Sequence, residues 1–171
     1  MKTKNIVLVL LLSFIVTMSF AQEKTRKLLR EARKSEKQKR TDILVNSREF
    51  VFVARNASPQ GFRNIDLTSN PNYIKFQPDF IKSEMPFFGR AYSGVGYRGD
   101  DGLNFEGKAQ EYTIKKEKKA YQIKAVVKGQ YDVYTMYLSV FFDSSASLSI
   151  NSNNRSTISY NGEISAIEKK K

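Results

Sequence analysis

Residues 120–151, AYQIKAVVKGQYDVYTMYLSVFFDSSASLSIN, decide the fold of this chain. In the first nine, apolar side chains at 121, 123, 125 and 127 alternate with mostly polar ones, as in a half-buried strand. Residues 131–142 are mostly apolar or aromatic on both faces, which is typical of a central strand. Residues 146–150 alternate again, with serine between the apolar positions. Gly129-Gln130 and Asp143-Ser144-Ser145 separate the three segments as short turns, so neighbouring strands are expected to run antiparallel.

Shorter alternating segments, with turns roughly every eight to twelve residues, continue this pattern on both sides. They are residues 49–54, 64–68, 73–76, 103–106, 110–116 and 156–167. The chain contains no strand–helix–strand alternation, which argues against a doubly wound parallel sheet. The pattern predicts a mainly β domain: an antiparallel β-sandwich or barrel of about eight strands, preceded by a basic N-terminal helix.

The first 21 residues have the features of a cleavable signal peptide. Lys2 and Lys4 supply a positive start, residues 6–20 are mostly apolar, and Ser19-Phe20-Ala21 provides the small residues that signal peptidase reads. The apolar run is shorter than the roughly 20 residues that span a bilayer, so no transmembrane span is expected in the mature chain. No Cys is present to carry lipid, which excludes a lipoprotein. We therefore expect export to the periplasm or secretion.

Charge divides the rest of the chain into a basic lead-in and a β domain. Residues 22–42 contain nine basic and four acidic residues, a net charge of +5, and neither Gly nor Pro. We interpret them as a helical or disordered lead-in, followed by a single β domain at 43–168 and a basic tail at 169–171. The lead-in is either an arm for phosphate, anionic glycan or anionic lipid, or a solvated spacer, and its composition favours the spacer.

The absence of Cys, His and Trp narrows the available chemistry. Without Cys or His the chain has no disulfide, no thiolate nucleophile, no Ser-His-Asp triad and no imidazole metal ligand. Asp100 and Asp101, between glycines, are the best metal-ligand candidates. A Ca²⁺ site needs about six to eight oxygen ligands, usually from several spaced carboxylates. An acidic loop without a metal is therefore the favoured interpretation, and no cofactor is expected.

Residues 86–102 have the composition that best suits ligand binding. Five of the nine glycines lie there, and glycine lets a ligand approach the backbone closely. The segment also carries side chains that stack on rings and contact anions: Phe87, Phe88, Arg90, Tyr92, Tyr97 and Arg98. These residues predict a loop for an anionic or aromatic ligand, or for an envelope protein. The alternative, a long hairpin whose aromatic side chains cover one end of the core, is favoured.

Residues 94–99 also match the pattern G-x-G-x-x-G of dinucleotide-binding proteins. A dinucleotide site needs this turn to open a helix, because the pyrophosphate binds at the helix N-terminus. Here Asp100-Asp101-Gly102 and a predicted strand follow. The match therefore does not indicate a nucleotide site.

Four segments, in this order along the chain, resemble the DUF4251 family. They are Phe50-Val51-Phe52-Val53-Ala54-Arg55 with Pro59, Pro86-Phe87-Phe88-Gly89-Arg90-Ala91-Tyr92, Gly102-Leu103-Asn104-Phe105, and Ser145-Ala146-Ser147-Leu148-Ser149-Ile150-Asn151-Ser152-Asn153-Asn154-Arg155. The resemblance extends over residues 43–167, and the segments that begin at Pro86 and at Ser149 are the specific ones. It implies a small exported protein of Bacteroidetes with a charged helical lead-in and one mostly β domain. It implies no activity, so no functional residue is transferred.

Two classes of function stay open. The favoured interpretation is a non-catalytic binding or interaction module of the bacterial cell envelope. The alternative is a carboxylate-dependent hydrolase, since such hydrolysis requires only two Asp or Glu residues at a suitable separation. The pI near 9.8 would suit nucleic acid. The signal peptide and the placement of the aromatic residues in strands argue against that partner.

The signal-peptide features lead to a direct prediction about the mature protein. We expect its first residue to be Gln22 and its location to be outside the cytoplasm, because Ser19-Phe20-Ala21 presents the cleavage motif. N-terminal sequencing of the protein from fractionated cells checks both points. An intact Met1 on a cytoplasmic protein would contradict them.

Overall fold

The computed structural model describes residues 2–61, 63–69, 72–92, 102–130 and 132–168, with side chains from Thr25 onward. The chain divides into two compact units, Met1–Lys37 and Gln38–Lys171. One helix precedes all of the described strands. The elements are α1 (Lys2–Ser47), β1 (Phe50–Pro59), β2 (Ile65–Asp66), β3 (Tyr73–Gln77), β4 (Phe80–Pro86), β5 (Gly102–Gly107), β6 (Ala109–Lys116), β7 (Ala120–Lys128), β8 (Val133–Phe141), β9 (Ser145–Ser152) and β10 (Ile158–Ser165). Among the described residues, no helix has the length and apolar character needed to cross a membrane.

The described strands form one antiparallel sheet that is nearly closed into a barrel. Its order is β5-β4-β3-β1-β10-β9-β8-β7-β6, and the short β2 pairs only with β1. The first and last strands of this order, β5 and β6, are separated in the chain by Lys108 alone. Together they act as one bent strand that pairs with β4 through its first part and with β7 through its second. Counted in this way, eight strands surround the core, and the predicted fold class is confirmed.

Alternating side chains from every long strand fill the barrel. On β7 the buried positions are Tyr121, Ile123, Ala125 and Val127, together with Ala120 at the strand end. Two stacked aromatic pairs join separate strands of the core: the ring centroids of Phe50 and Phe76 are 4.7 Å apart, and those of Phe105 and Tyr134 are 4.0 Å apart. These apolar faces explain why the two-residue period predicts the strands.

The C-terminal turns of α1 pack on one end of the barrel. Val45 is fully buried in the core, and Thr41, with 0% of its surface exposed, hydrogen-bonds to Ser144 Oγ at 2.8 Å. Asp42 accepts a hydrogen bond from the Tyr121 hydroxyl. The helix ends at Ser47 because Arg48 adopts a left-handed backbone conformation, with φ of 57°.

Strands β1 and β10 approach each other very closely at Gly162. Gly162 pairs with Ala54, immediately before a register shift on β1. A Cβ placed on Gly162 would lie 2.0 Å from the Val53 carbonyl oxygen and 2.8 Å from the Ala54 Cα. Both atoms belong to the backbone and cannot move aside as a flexible side chain could. Glycine is therefore required here for the two strands to pair.

We expect Gly162→Ala to lower the free energy of unfolding by about 1–3 kcal/mol or more. This is the usual cost of forcing an extra methyl group into a packed site. Urea denaturation measures the loss. Ser165→Ala is the matched control, since Ser165 lies exposed near the end of the same strand. Equal stability of Gly162→Ala and the control would show that the sheet relaxes around an added methyl group.

Candidate functional site

An open groove of about 630 Å³ runs along strands β4 and β5. Both strands belong to the part of the sheet where β5 pairs with β4 alone. The groove combines charged, amide and apolar side chains. Its lining residues are Lys82, Ser83, Glu84, Met85, Pro86, Gly102, Asn104, Phe105 and Glu106.

The pairing of β4 with β5 determines which polar side chains meet in this groove. Lys82 lies opposite Glu106, and Glu84 lies opposite Asn104. Neighbouring inward positions such as Met85 and Phe105 are buried in the core, so these four polar residues project from the outer face. Two carboxylates, one ammonium group and one amide are thereby brought to a single surface.

Two side chains, those of Lys82 and Tyr73, hydrogen-bond to the Glu84 carboxylate. Lys82 Nζ lies 2.9 Å from Glu84 Oε1, and the Tyr73 hydroxyl, on the adjacent strand β3, also hydrogen-bonds to the Glu84 carboxylate. The hydrogen bond from Lys82 lowers the pKa of Glu84 below its usual value, and the hydrogen bond from Tyr73 lowers it further. The hydrogen bond between Tyr73 and Glu84 also raises the pKa of Tyr73. Glu84 is therefore a carboxylate that stays ionised at neutral pH.

At one end of the groove, the segment 87–92 is bound to the turn after β9. Tyr92 N donates to Asn154 O at 2.8 Å, and Ser156 N donates to Arg90 O at 2.9 Å. The Ser156 hydroxyl accepts from Arg90 N at 3.1 Å. The segments Pro86–Tyr92 and Ser149–Arg155, which carry the specific family resemblance, therefore contact each other directly.

Arg155 and Tyr160 tie this end of the groove to the barrel. Arg155 donates to the Gly102 carbonyl at 2.6 Å, and its guanidinium lies 5.1 Å from the centre of the Phe87 ring. The Tyr160 hydroxyl donates to the Pro86 carbonyl at 2.6 Å. Pro86 and Gly102 are paired across β4 and β5 and both line the groove. The two ends of the predicted binding segment, 86–102, are thus held in fixed positions beside the groove.

The structure separates the residues that were proposed for this binding segment. Phe87 and Phe88 are half-buried and pack against the core. Arg90 is exposed, and 68% of Tyr92 is accessible to solvent. Four other candidates lie outside the described residues: Tyr97, Arg98, Asp100 and Asp101. Within the described ranges, no group of three or more acidic residues is placed to hold a metal ion.

Sequence reasoning missed the polar residues of the groove itself. A weak signal was present, since Lys82 and Glu84, and likewise Asn104 and Glu106, are spaced by two and so share one face of a strand. Their meeting depends on the pairing of β4 with β5 across a long connection. Spacing within one strand cannot supply that pairing.

The fold and the groove together define a small, nearly closed antiparallel β-barrel protein with an external groove. The model of a family described as a domain of unknown function (DUF4251) matches residues 32–164. The chain belongs to this DUF4251 family. A crystal structure of a DUF4251 family protein from Bacteroides eggerthii DSM 20697 has the same fold, with a TM-score of 0.59 and 18% identity over 76% of this chain and 87% of that chain. No curated protein matches the chain.

Two buried tyrosines provide a test of how this end of the barrel is held. Tyr160→Phe removes the hydrogen bond to Pro86 and should lower the free energy of unfolding by about 1 kcal/mol. Tyr112→Phe is the matched control, because the buried Tyr112 hydroxyl has no hydrogen-bond partner in the described part of the chain. We expect this control to be as stable as the wild type or slightly more stable. Urea denaturation at neutral pH measures both effects. Equal losses of stability in the two variants would show that the hydrogen bond from Tyr160 to Pro86 does not stabilise the barrel.

The same tyrosines predict sensitivity to alkali. Burial raises the pKa of Tyr112 to about 12 and raises that of Tyr160 further. In the unfolded chain a tyrosine has a pKa of about 10, and in the folded protein these two tyrosines have higher values. The free energy of unfolding is therefore unaffected by their ionisation below pH 10 and falls as the pH rises from 10 towards the folded-state pKa. Denaturation midpoints measured between about pH 9 and 12 should therefore fall less steeply in Tyr160→Phe than in the wild type. Identical slopes would contradict the buried, un-ionised state.

Proposed function

We propose that this chain is an exported, non-catalytic binding protein of the bacterial cell envelope that holds a small ligand in the β4–β5 groove. The observation that carries the proposal is the groove of about 630 Å³, with four polar side chains projecting from paired strands. Ligand pockets commonly measure about 300–1,000 Å³ and combine apolar walls with a few fixed polar groups. The half-buried Pro86 supplies an apolar side chain, while Met85 and Phe105 border the groove but turn their side chains into the core.

The envelope location is supported by the amino-terminal sequence. Residues 1–21 combine two lysines, an apolar run and a small-residue cleavage motif. The similar solved protein comes from a bacterium. An exported protein without Cys keeps its stability in an oxidising compartment through its core rather than through disulfides.

The charge of the groove favours a ligand that carries an amino group. Glu84 and Glu106 contribute two negative charges, and Lys82 contributes one positive charge. The sequence-based expectation of an anionic ligand rested on Arg90, which does not line the groove, and on Arg98, which lies outside the described residues. A ligand with an ammonium group on a ring could pair the ammonium group with a carboxylate and lay the ring against Pro86. We therefore assign the groove to an amine-bearing ring compound such as an amino sugar.

The hydrolase alternative would use Glu84 and Glu106, which occupy neighbouring strands of one groove. Acid–base hydrolysis by a carboxylate pair needs one carboxyl group whose pKa is raised, so that it stays protonated and can donate a proton. Lys82 and Tyr73 instead lower the pKa of Glu84. The electrostatics around Glu84 favour binding over proton donation.

Three sugars with the same ring and different charges test the proposal: glucosamine, glucose and glucuronate. At a pH near 6, below the pKa of a typical amine, glucosamine should shift the amide resonances of β4 and β5 in a saturable manner, and glucuronate should not. Loss of a charge-assisted contact in Glu106→Gln should weaken glucosamine binding about tenfold. Glu117→Gln is the control, since it removes the same charge from an exposed site at the turn after β6.

Three outcomes would overturn the proposal. Saturable shifts with glucuronate and none with glucosamine would contradict the assigned ligand charge. Equal weakening in Glu106→Gln and Glu117→Gln would show that binding follows net charge rather than the groove. If the protein releases a chromophore from aryl glycosides and Glu106→Gln abolishes this release, the protein is a hydrolase and the binding proposal is wrong.

A further inference from the structure

Six basic side chains of the lead-in helix share one face. Residues 25–37 carry six basic side chains, Arg26, Lys27, Arg30, Arg33, Lys34 and Lys37, and all six residues are exposed. The backbone there is a continuous α-helix. At about 100° per residue, the six positions fall within an arc of about 120°. We call this arc the basic face.

Within residues 25–37, other residue types occupy the rest of the helix surface. Further along the helix, the exposed Lys39 lies outside the arc. The two acidic residues of this stretch, Glu31 and Glu36, both fall outside the arc. Leu28 and Leu29 are 60% and 54% exposed, and Leu29 lies at the border of the basic face, about 40° from Arg33. Random placement of eight charged residues would mix the signs around the helix. The segregation therefore distinguishes this segment from a merely solvated charged helix.

We propose that the basic face binds the surface of an anionic phospholipid membrane. Charge complementarity carries the argument, because cationic residues on one side of a helix can approach lipid phosphates together. A lipid surface can also bury the exposed Leu29 at the border of the face, which a purely polar anionic glycan cannot do. Export, as proposed above from the signal-peptide features, would keep the protein away from nucleic acid. None of these residues lines the β4–β5 groove, so the proposal does not depend on a ligand there.

The strength of such binding depends on the number of charges at the surface and on salt. Each Lys or Arg near an anionic membrane contributes about fivefold in affinity. Removal of four such charges should therefore weaken binding by at least about a hundredfold. Exposed charges are screened over about 8–10 Å at physiological salt, so binding should weaken steeply as salt is added.

The experiment uses the protein recovered in its processed form and vesicles of phosphatidylglycerol mixed with phosphatidylcholine. One variant combines Arg26→Gln, Arg30→Gln, Arg33→Gln and Lys37→Gln. Its control combines Lys115→Gln, Lys118→Gln, Lys119→Gln and Lys128→Gln, which removes four exposed charges from the barrel and gives the same net charge. Glutamine keeps a good helix propensity, so circular dichroism should show intact helix in both. Vesicle co-sedimentation measures the affinities.

The helix variant should lose at least about a hundredfold in affinity while the barrel variant changes less than about fivefold. Equal losses in the two variants would overturn the proposal, because they would reflect net charge alone. Equal binding of the wild type to pure phosphatidylcholine would also overturn it, since attraction to lipid charge would then be absent. Binding to heparin without binding to anionic vesicles would assign the face to a polyanionic glycan instead.

Discussion

The barrel depends on the bend at Lys108, where β5 ends and β6 begins. This single residue carries the chain from pairing with β4 to pairing with β7, so the first and last strands of the sheet order are consecutive in sequence. The junction is tightly packed: a Cβ placed on Gly107 would lie 3.1 Å from the Lys128 carbonyl oxygen. Gly107 thus lets the backbone of the bend come close to the end of β7.

The location of the groove follows from this closure. Along β5 the chain pairs with β4, and its pairing with β7 begins only after the bend. The outer face of β4 and β5 is therefore a surface on which alternate side chains of two paired strands converge. Inward neighbours such as Met85 and Leu103 hold the strands by burial, while Arg155 and Tyr160 fix the backbone at one end. A groove supported in this way can present its polar groups with little reorganisation on binding.

The fold was predictable because apolar residues occupy every second position in the strands of the second half, which is the spacing of buried side chains in a strand. Tyr121, Ile123, Ala125 and Val127 are buried in the predicted alternation. The strand over residues 133–141 pairs along both edges, but its second apolar face is turned outward, where Tyr137 and Phe141 are exposed. The family was recognisable from two specific segments, and the family match confirms it. The reason those segments are specific became clear only in three dimensions, where 90–92 and 154–156 bond to each other.

The candidate site was less predictable for a physical reason. Composition pointed to the aromatic residues after β4, but Phe87 and Phe88 contribute much of their surface to the core, and Arg90 and Tyr92 remain at the surface. Lys82, Glu84 and Glu106 are ordinary exposed charges when read along the chain. Their significance depends on the register of β4 against β5, which is set by a pairing between residues about 20 positions apart.

The one-residue link at Lys108 also constrains how related chains can differ in length. Because side chains alternate between the two faces of a strand, one additional residue at the link would turn Ala109, Tyr112 and Ile114 from the core to the solvent. A deletion would have the same consequence. The connection between β4 and β5 does not transmit such a change into the sheet, because Pro86 and Gly102 close it independently as a cross-strand pair. Evolutionary gain and loss of residues in this family should therefore concentrate in that connection and spare the link.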